Sequence, residues 1–296
     1  SSNIVYTRDL YTSCLLRFFG KKIYYEPHTK SVISGLLFKI FSKSISHFFP
    51  ISFGLKDVLV EQGVDKRRIT ILPDAVDFGR FGRKMSVPDA RKTLDLPRDK
   101  FIVMYVGKYT TMGKKKGVDE LIQAFSQMVG NGCSDMLLVI VGLSLDEVKM
   151  VTLLCKKVGV PSNSVLLIPH VPHKIVPMYL WAADVLVMNY PNFEHYAKFM
   201  SPLKLFEYMA SGTPVVSTDL PSVREVATEK HIIFVEPGCV TSLKKGILSV
   251  KKNTVNAKKI GLSAAKKMET FDWQSRAGMI LNTTNSLIKI KIKLKI

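Results

Sequence analysis

The chain is short of cysteine, of negative charge and of long apolar runs. Its 296 residues include four cysteines, Cys14, Cys133, Cys155 and Cys239, far apart and without a CxxC. That argues against a disulfide framework or a thiolate zinc site and suits a reducing compartment. No uninterrupted apolar stretch reaches the length of a membrane-spanning helix. The first residue is Ser1, and no signal-peptide pattern follows it. No internal repeat is visible, and the GxxxxGK[ST] order of a P-loop is absent. Asp plus Glu total 24 against 43 Lys plus Arg, a net charge of +19. Such a surplus favours anionic partners: sugar nucleotides, phospholipid surfaces or nucleic acid. Nucleic acid ranks last, because the aromatic residues do not interleave with lysines as stacking platforms would.

Hydrophobic residues make up 47% of the chain, enough for a sizeable core, and the length suits one large or two ordinary domains. "NIVYTRD" reads as a strand entering a helix near Asp9, and "KKIYYEPH" as a second strand ending at Pro27–His28. Residues 31–47 read as a helix with Lys39, Lys43 and His47 as a basic stripe. "HFFPIS" reads as a short strand, Ser52 caps a helix that stops at Gly63, and "RITILPDAVD" reads as a strand and turn. Residues 83–99 are polar with two prolines, a linker carrying a short helix. Beyond them the pattern is regular. "FIVMYVG", "MLLVIVG", "SVLLI", "DVLVM", "TPVVS" and "HIIFV" are strands, with helices between them, including 118–130 and one capped by Ser144. Strands this apolar are buried on both faces, which predicts an α/β fold with parallel sheets covered by helices. The alternating tail "LIKIKIKLKI" reads as a frayed basic end.

In open parallel sheets, ligands bind beyond the carboxyl ends of the strands. After "FIVMYVG" come Gly107, then Lys108, Lys114, Lys115 and Lys116, then Gly117 opening a helix. Ammonium groups beside a helix N-terminus suit a diphosphate. Lys116 is the best placed, whereas Lys114 and Lys115 read as a solvated basic loop. After "DVLVM" comes "SPLKLFEYMASGTPVVSTD". Ser201 suits an N-cap, Pro202 the first helical position and Gly212 the stop. Glu207 is then a lone carboxylate on a buried helix and needs a partner. Ribose hydroxyls and Lys204, three residues back, serve equally well on these grounds. His170 and His173 lack an accompanying carboxylate cluster and read as loop histidines, with no metal assigned.

Together these segments resemble the retaining, family-4-type glycosyl transferases (group 1) of the GT-B fold. "ILPDAVDFGRF" resembles the family's stretch before the domain linker, and "YVGK…KGVDELIQAF" its diphosphate-binding strand, loop and helix. "VPMYLWAADVLVMNY" with "SPLKLFEYMASGTPVVSTDLPSVREV" resembles the nucleotide-binding signature, and "FDWQSRAGMIL" the last helix. The resemblance implies two Rossmann-like doubly wound domains. These are a partial acceptor-side domain at 1–82, a linker at 83–96, a nucleotide-sugar domain at 97–270, and a helix crossing back with a basic tail at 271–296. It implies sugar transfer from a nucleoside-diphosphate sugar with retention, in cell-envelope or polysaccharide synthesis.

By the same resemblance, Glu207 matches the second Glu of E-x7-E, which holds the donor ribose, and Lys116 matches the diphosphate lysine. Gly107, Lys108, Ser201, Pro202, Leu203 and Lys204 complete the implied donor site. His28 resembles the first-domain histidine near the donor sugar. Lys108 stands where Arg is usual, which keeps the charge and loses the bidentate fork. Phe199 stands where the first Glu of the motif is expected, so Glu194 and His195 become candidates for the donor-sugar loop. No cofactor and no obligatory metal are implied. The implied partners are a nucleotide-sugar donor, a saccharide or lipid-linked acceptor and an anionic membrane surface, in the cytoplasm or at the inner membrane face. The family's first domain normally opens with further strands and a Gly-rich loop, so an N-terminal truncation is expected. A non-catalytic nucleotide-sugar-binding fragment or a sugar-nucleotide epimerase of the same fold are the alternatives. A phosphorylase would need a pyridoxal lysine signature, and none is seen.

Overall fold

A computed structural model describes residues 4–17, 19–30, 36–111 and 113–293. By contact density the chain forms two compact units. The first comprises 1–74, 192–202 and 220–226, and the second 75–191, 203–219 and 227–296.

The first unit holds a three-stranded parallel sheet of β1 (Ile4–Thr7), β2 (Lys22–Tyr25) and β3 (Ile45–Phe48), in that order. Ile23, Tyr25, Ile45 and Phe48 bury their side chains with Leu10, Phe38, Leu59 and Val64. Ser52 caps the Phe53–Glu61 helix as its sequence predicts, its hydroxyl accepting from the Leu55 amide.

Two expectations in this unit fail. The 31–47 helix is shorter: it spans Leu36–Ser42, and residues 31–35 lie outside the described residues. His47 is not on a basic stripe but in β3, buried against the Thr70 hydroxyl at 2.9 Å. Burial, then the charge of Arg68, pulls its imidazole down to about 4, so it sits there neutral. The "RITILPDAVD" strand does not form either. Thr70 donates to the Phe48 carbonyl and Leu72 to that of Pro50, but Pro50 has no N–H to return and the ladder stops at one bridge.

The second unit holds six parallel strands: β4 (Phe101–Val106), β7 (Met136–Leu143), β8 (Val165–Pro169), β9 (Val185–Met188), β10 (Val215–Thr218) and β11 (Ile233–Val235). Between the first two lies a small antiparallel pair, β5 (Thr110–Thr111) with β6 (Lys114–Lys115), where a plain loop was expected. The order across the large sheet is β11-β10-β9-β4-β7-β8. Counted from β4, this is the doubly wound 3-2-1-4-5-6 arrangement read from its far edge, and the order in which strands are added reverses between β4 and β9. The central strands are buried end to end, which is why they read as unbroken apolar runs. The expected α/β, doubly wound parallel architecture is therefore present.

The polar 83–96 stretch is a packed part of this unit. Arg83 reaches the Thr213 hydroxyl at 2.7 Å, and buried Arg91 pairs with Asp184 at 2.6 Å while donating to the carbonyls of Ala182, Arg98 and Lys100. The tail expected to be frayed is helical as far as Lys293, in one helix that runs from Trp273 and belongs to the second unit; residues 294–296 lie outside the described residues. No helix among the described residues is long and apolar enough to cross a membrane.

Candidate donor-binding site

The reversal between β4 and β9 is where a doubly wound sheet opens a crevice at its carboxyl edge. A cavity of about 200 Å³ lies there. Its walls include Gly107 and Lys108 after β4, Gly142 in β7, His170 and His173 after β8, and Lys204 and Glu207 on the Leu203–Ala210 helix. All of these residues belong to the second unit.

Glycine is required at the two turns that admit this approach. Gly107 has φ +141°, and a Cβ there would lie 2.8 Å from Lys204 Nζ. Gly117 has φ +78°, and a Cβ would run into the Asn189 carbonyl. Asn189 in turn donates its side-chain amide to the Gly117 carbonyl at 3.1 Å. Gly117 is the N-cap of the Val118–Gly130 helix and supplies no side-chain cap, so its first amides remain available to an anion. Asp119, in that first turn, is held aside by the Tyr109 hydroxyl and by Lys115 at 2.6 Å. The Tyr109 phenol is pushed up to about 12, first by burial and then by Asp119.

The Leu203–Ala210 helix is tied to the end of β4 by Tyr208. Its hydroxyl accepts from the Val106 amide at 2.7 Å and donates to the Val106 carbonyl at 3.0 Å. Burial lifts this phenol well above its ordinary range. Gly212 stops the helix at φ +70°, as expected. The start differs. The helix begins at Leu203, and Ser201 does not cap it, because its hydroxyl accepts from the Asp74 amide at 2.8 Å within the first unit.

Glu207 pairs neither with Lys204 nor with any other lysine. Its Oε1 meets His173 Nε2 at 3.0 Å. The Glu207 side chain is 23% exposed and lines the cavity. Burial raises its pKa, and the His173 hydrogen bond opposes the shift. Lys204 is the more unusual group. The residue is only partly buried, yet Nζ is shut off from solvent and has no hydrogen-bond partner. It lies 3.7 Å from the Tyr105 ring centroid and 5.5 Å from that of Tyr190. Burial, reinforced by the charge of Lys116, holds it well below the ordinary lysine range, with Glu207 acting weakly the other way. Lys116 stands 5.8 Å from the Tyr190 ring and is also lowered, by burial and then by Lys108.

The remaining sequence candidates fall in the first unit. Glu194 and His195 belong to its 192–202 segment, with His195 opening a five-residue π-helix to Phe199. His28 is 30% exposed and bonds Glu26 Oε1 at 2.6 Å. Glu26, which sequence reasoning passed over, is fully buried. It also takes Arg8 Nε at 3.0 Å and the Tyr6 hydroxyl. The signal for it was present in "YYEPHT", a charged residue at the inward end of an apolar strand. His173 and Tyr208 were likewise missed as site residues. Among the described residues no cluster of three or more His, Cys, Asp or Glu side chains is arranged to hold a metal ion.

Comparison with known proteins places this geometry. The family model for glycosyl transferases group 1 matches residues 86–267, more than half of the chain. The putative teichuronic acid biosynthesis glycosyltransferase TuaC of Bacillus subtilis is 28% identical over 179 residues, 60% of this chain and 40% of TuaC. TuaH of the same organism, described in the same terms, is 43% identical over 63 residues, 21% of this chain and 16% of TuaH. The chain thus matches less than half the length of these curated relatives. In fold it is similar to a glycosyltransferase from Rickettsia africae, with TM-score 0.81 and 18% identity over 97% of this chain and 77% of that one. It is also similar to Anabaena HepE solved in complex with UDP, with TM-score 0.78 and 17% identity over 96% and 78% of the two chains. With the GT-B fold these neighbours share and the family match over 86–267, the chain belongs to the glycosyl transferases group 1 family.

Proposed function

We propose that the chain moves a sugar from a nucleoside-diphosphate sugar to a saccharide or lipid-linked acceptor, with retention at the anomeric carbon, in the manner of family 4. One observation carries this reading: at the reversal of the second sheet, Lys108, Lys204 and the partly exposed Glu207 line one cavity, while Lys116, sharing the Tyr190 ring with Lys204, leads into the uncapped helix start at Gly117. An anion at Gly107 and Gly117 answers the charge, and a ribose hydroxyl answers Glu207. The names of TuaC and TuaH support an envelope polysaccharide as product, and HepE, also solved with UDP-glucose, supports a uridine nucleotide as donor.

In the proposed step the bond between the anomeric carbon and the diphosphate oxygen breaks, and the acceptor oxygen bonds the same face of that carbon. The acceptor proton passes to the departing phosphate. Negative charge grows on the diphosphate, and fixed cations and amides there lower the barrier. The lysines meet that charge, so the reaction as proposed calls on no metal and EDTA leaves the rate unchanged. His28 is assigned to the transfer step, oriented by Glu26. Association with anionic membranes has only the net charge of +19 behind it and is tested by salt-dependent binding to anionic liposomes.

The deciding experiment is a thermal-shift screen of sugar nucleotides, followed by transfer with the best binder and NMR assignment of the product anomer. A stabilising nucleotide sugar whose sugar is transferred with the same anomeric configuration supports the proposal. Binding without transfer to any saccharide or lipid acceptor would support the non-catalytic alternative, and an inverted product would overturn retention.

A further inference from the structure

Lys204 reverses the usual behaviour of lysine. Long cationic side chains bury their methylenes and hold the ammonium in water. Here the residue is only partly buried while Nζ is enclosed, with no acceptor within hydrogen-bond reach. An ammonium group carries three donors, and leaving all of them unmet in an enclosed space is among the costliest arrangements available to a side chain.

The groups facing Nζ come from each element packed around it. From β4 there is Tyr105, whose ring face lies 3.7 Å from Nζ, and just beyond that strand the charge of Lys108. The loop before the Val118–Gly130 helix contributes Lys116, and the loop after β9 contributes Tyr190, whose ring lies within 6 Å of both lysines. On Lys204's own helix stand Glu207, engaged by His173, and Tyr208, engaged by Val106. The two ring faces attract a cation, Tyr105 at close range. Against that stand the like charge of Lys116 and the absence of a paired carboxylate. The empty site therefore favours the neutral amine, and the burial-driven lowering of the group agrees with the geometry.

We propose that Lys204 stands as a neutral amine in the empty site and takes up a proton when a nucleoside diphosphate enters, so that nucleotide binding is coupled to proton uptake. The step balances simply: one proton from solvent or buffer is added to Nζ, and the diphosphate supplies the missing counter-charge. The inference rests on the donor-site reading above. Its consequence is a pH dependence opposite to that of the nucleotide. Deprotonation of a terminal phosphate strengthens binding up to about neutral pH. Above that, association weakens as pH rises, by up to tenfold per unit, because the proton must be taken from an ever more basic solution.

The test is calorimetry of UDP, GDP and ADP in turn at pH 8.0, in buffers of different ionisation enthalpy. At that pH the terminal phosphate has lost its proton. The expected result for the tightest binder is an uptake approaching one proton per nucleotide. Lys204→Met and Lys204→Arg both abolish the uptake, the arginine because it is charged throughout. Retained nucleotide binding by Lys204→Arg shows that the effect is not misfolding. Zero uptake by the wild type while nucleotide binds would overturn the proposal, and so would uptake that persists in both variants, which would move the proton to Lys116. Failure of all three nucleotides to bind the wild type would overturn the donor-site reading itself, and the proposal with it.

Discussion

Each unit holds a carboxylate in its interior, and the two are treated in opposite ways. Glu26 of the first unit has no exposed surface, and its own neighbours Tyr6, Arg8 and His28 serve both of its oxygens. Glu207 of the second unit has one oxygen served by His173 and lines a cavity, partly exposed, three residues from an amine with no partner at all. Buried polar groups are normally satisfied, because each unmet one costs about 1–3 kcal/mol. A centre that closes on itself contributes to folding. One left open on both its acidic and its basic member is completed by something that arrives later.

The sharpest way to break this comparison is to delete each carboxylate. Glu26→Ala strands Tyr6, Arg8 and His28 together, and removing one member of a buried ionic cluster costs about 3 kcal/mol or more. The expected outcome is a loss of protection in hydrogen exchange across β1 and β2, with the second unit's sheet unaffected. Uniform protection in wild type and variant would show that Glu26 is not structural. Glu207→Gln is expected to act the other way round. It leaves the melting temperature of the empty protein near that of the wild type, while nucleotide affinity falls by about 1.5–3 kcal/mol, roughly 10- to 150-fold. A folded variant with wild-type affinity would remove Glu207 from the donor site.

The contrast between the units also marks what was legible in the sequence. Signals confined to a few residues were readable. Ser144 forms its capping box with Glu147, Ser52 caps its helix, and the 118–130 helix and the six apolar strands of the second unit stand where their patterns put them. The lysines and Glu207 were readable as types at the carboxyl ends of strands. Their partners were not, because partnership is set by the packing of distant segments. His173 lies 34 residues from Glu207, and Tyr208 lies 102 residues from Val106. The first unit was the harder to read. Its strands are four residues long, too short for alternation to outweigh a neighbouring helix pattern, and so the start of β3 was absorbed into the 31–47 helix and its strand was read late, at 47–52.

A smaller effect tests whether the open site rests on a rigid frame. Tyr208→Phe removes one hydroxyl that serves both the amide and the carbonyl of Val106. Stranding these buried backbone groups is expected to cost about 1–2 kcal/mol. Chemical denaturation of the whole protein measures it. Nucleotide affinity should fall as well, because Glu207 and Lys204 ride on the same helix. Loss of stability with unchanged affinity would show that the helix keeps its place without this tie.

The smallest expected effect concerns titration, which the comparison assigns to the protein alone in the first unit and to ligand binding in the second. In the first unit Glu225 accepts the Phe53 amide on both oxygens, at 3.0 and 3.1 Å, and burial, opposed by that hydrogen bond, lifts it to about 7. Folded, it holds a proton between pH 4.5 and 7 that the unfolded chain has already released, so its contribution to stability falls as pH rises through that window. His47, lowered from 6.5 to about 4, has the opposite sign: the unfolded chain binds a proton that the folded chain refuses, and stability rises with pH from about 4 to 6.5. Each contributes about 1–2 kcal/mol after allowance for partial exposure, and between pH 4.5 and 6.5 they largely cancel. Protection of first-unit amides in the wild type is therefore expected to stay level across that range. Glu225→Gln removes the falling contribution and leaves a climb toward pH 6.5, whereas His47→Gln leaves a decline. Parallel profiles for the wild type and Glu225→Gln would show that this carboxyl titrates as an ordinary surface group, and that the first unit carries no balanced pair.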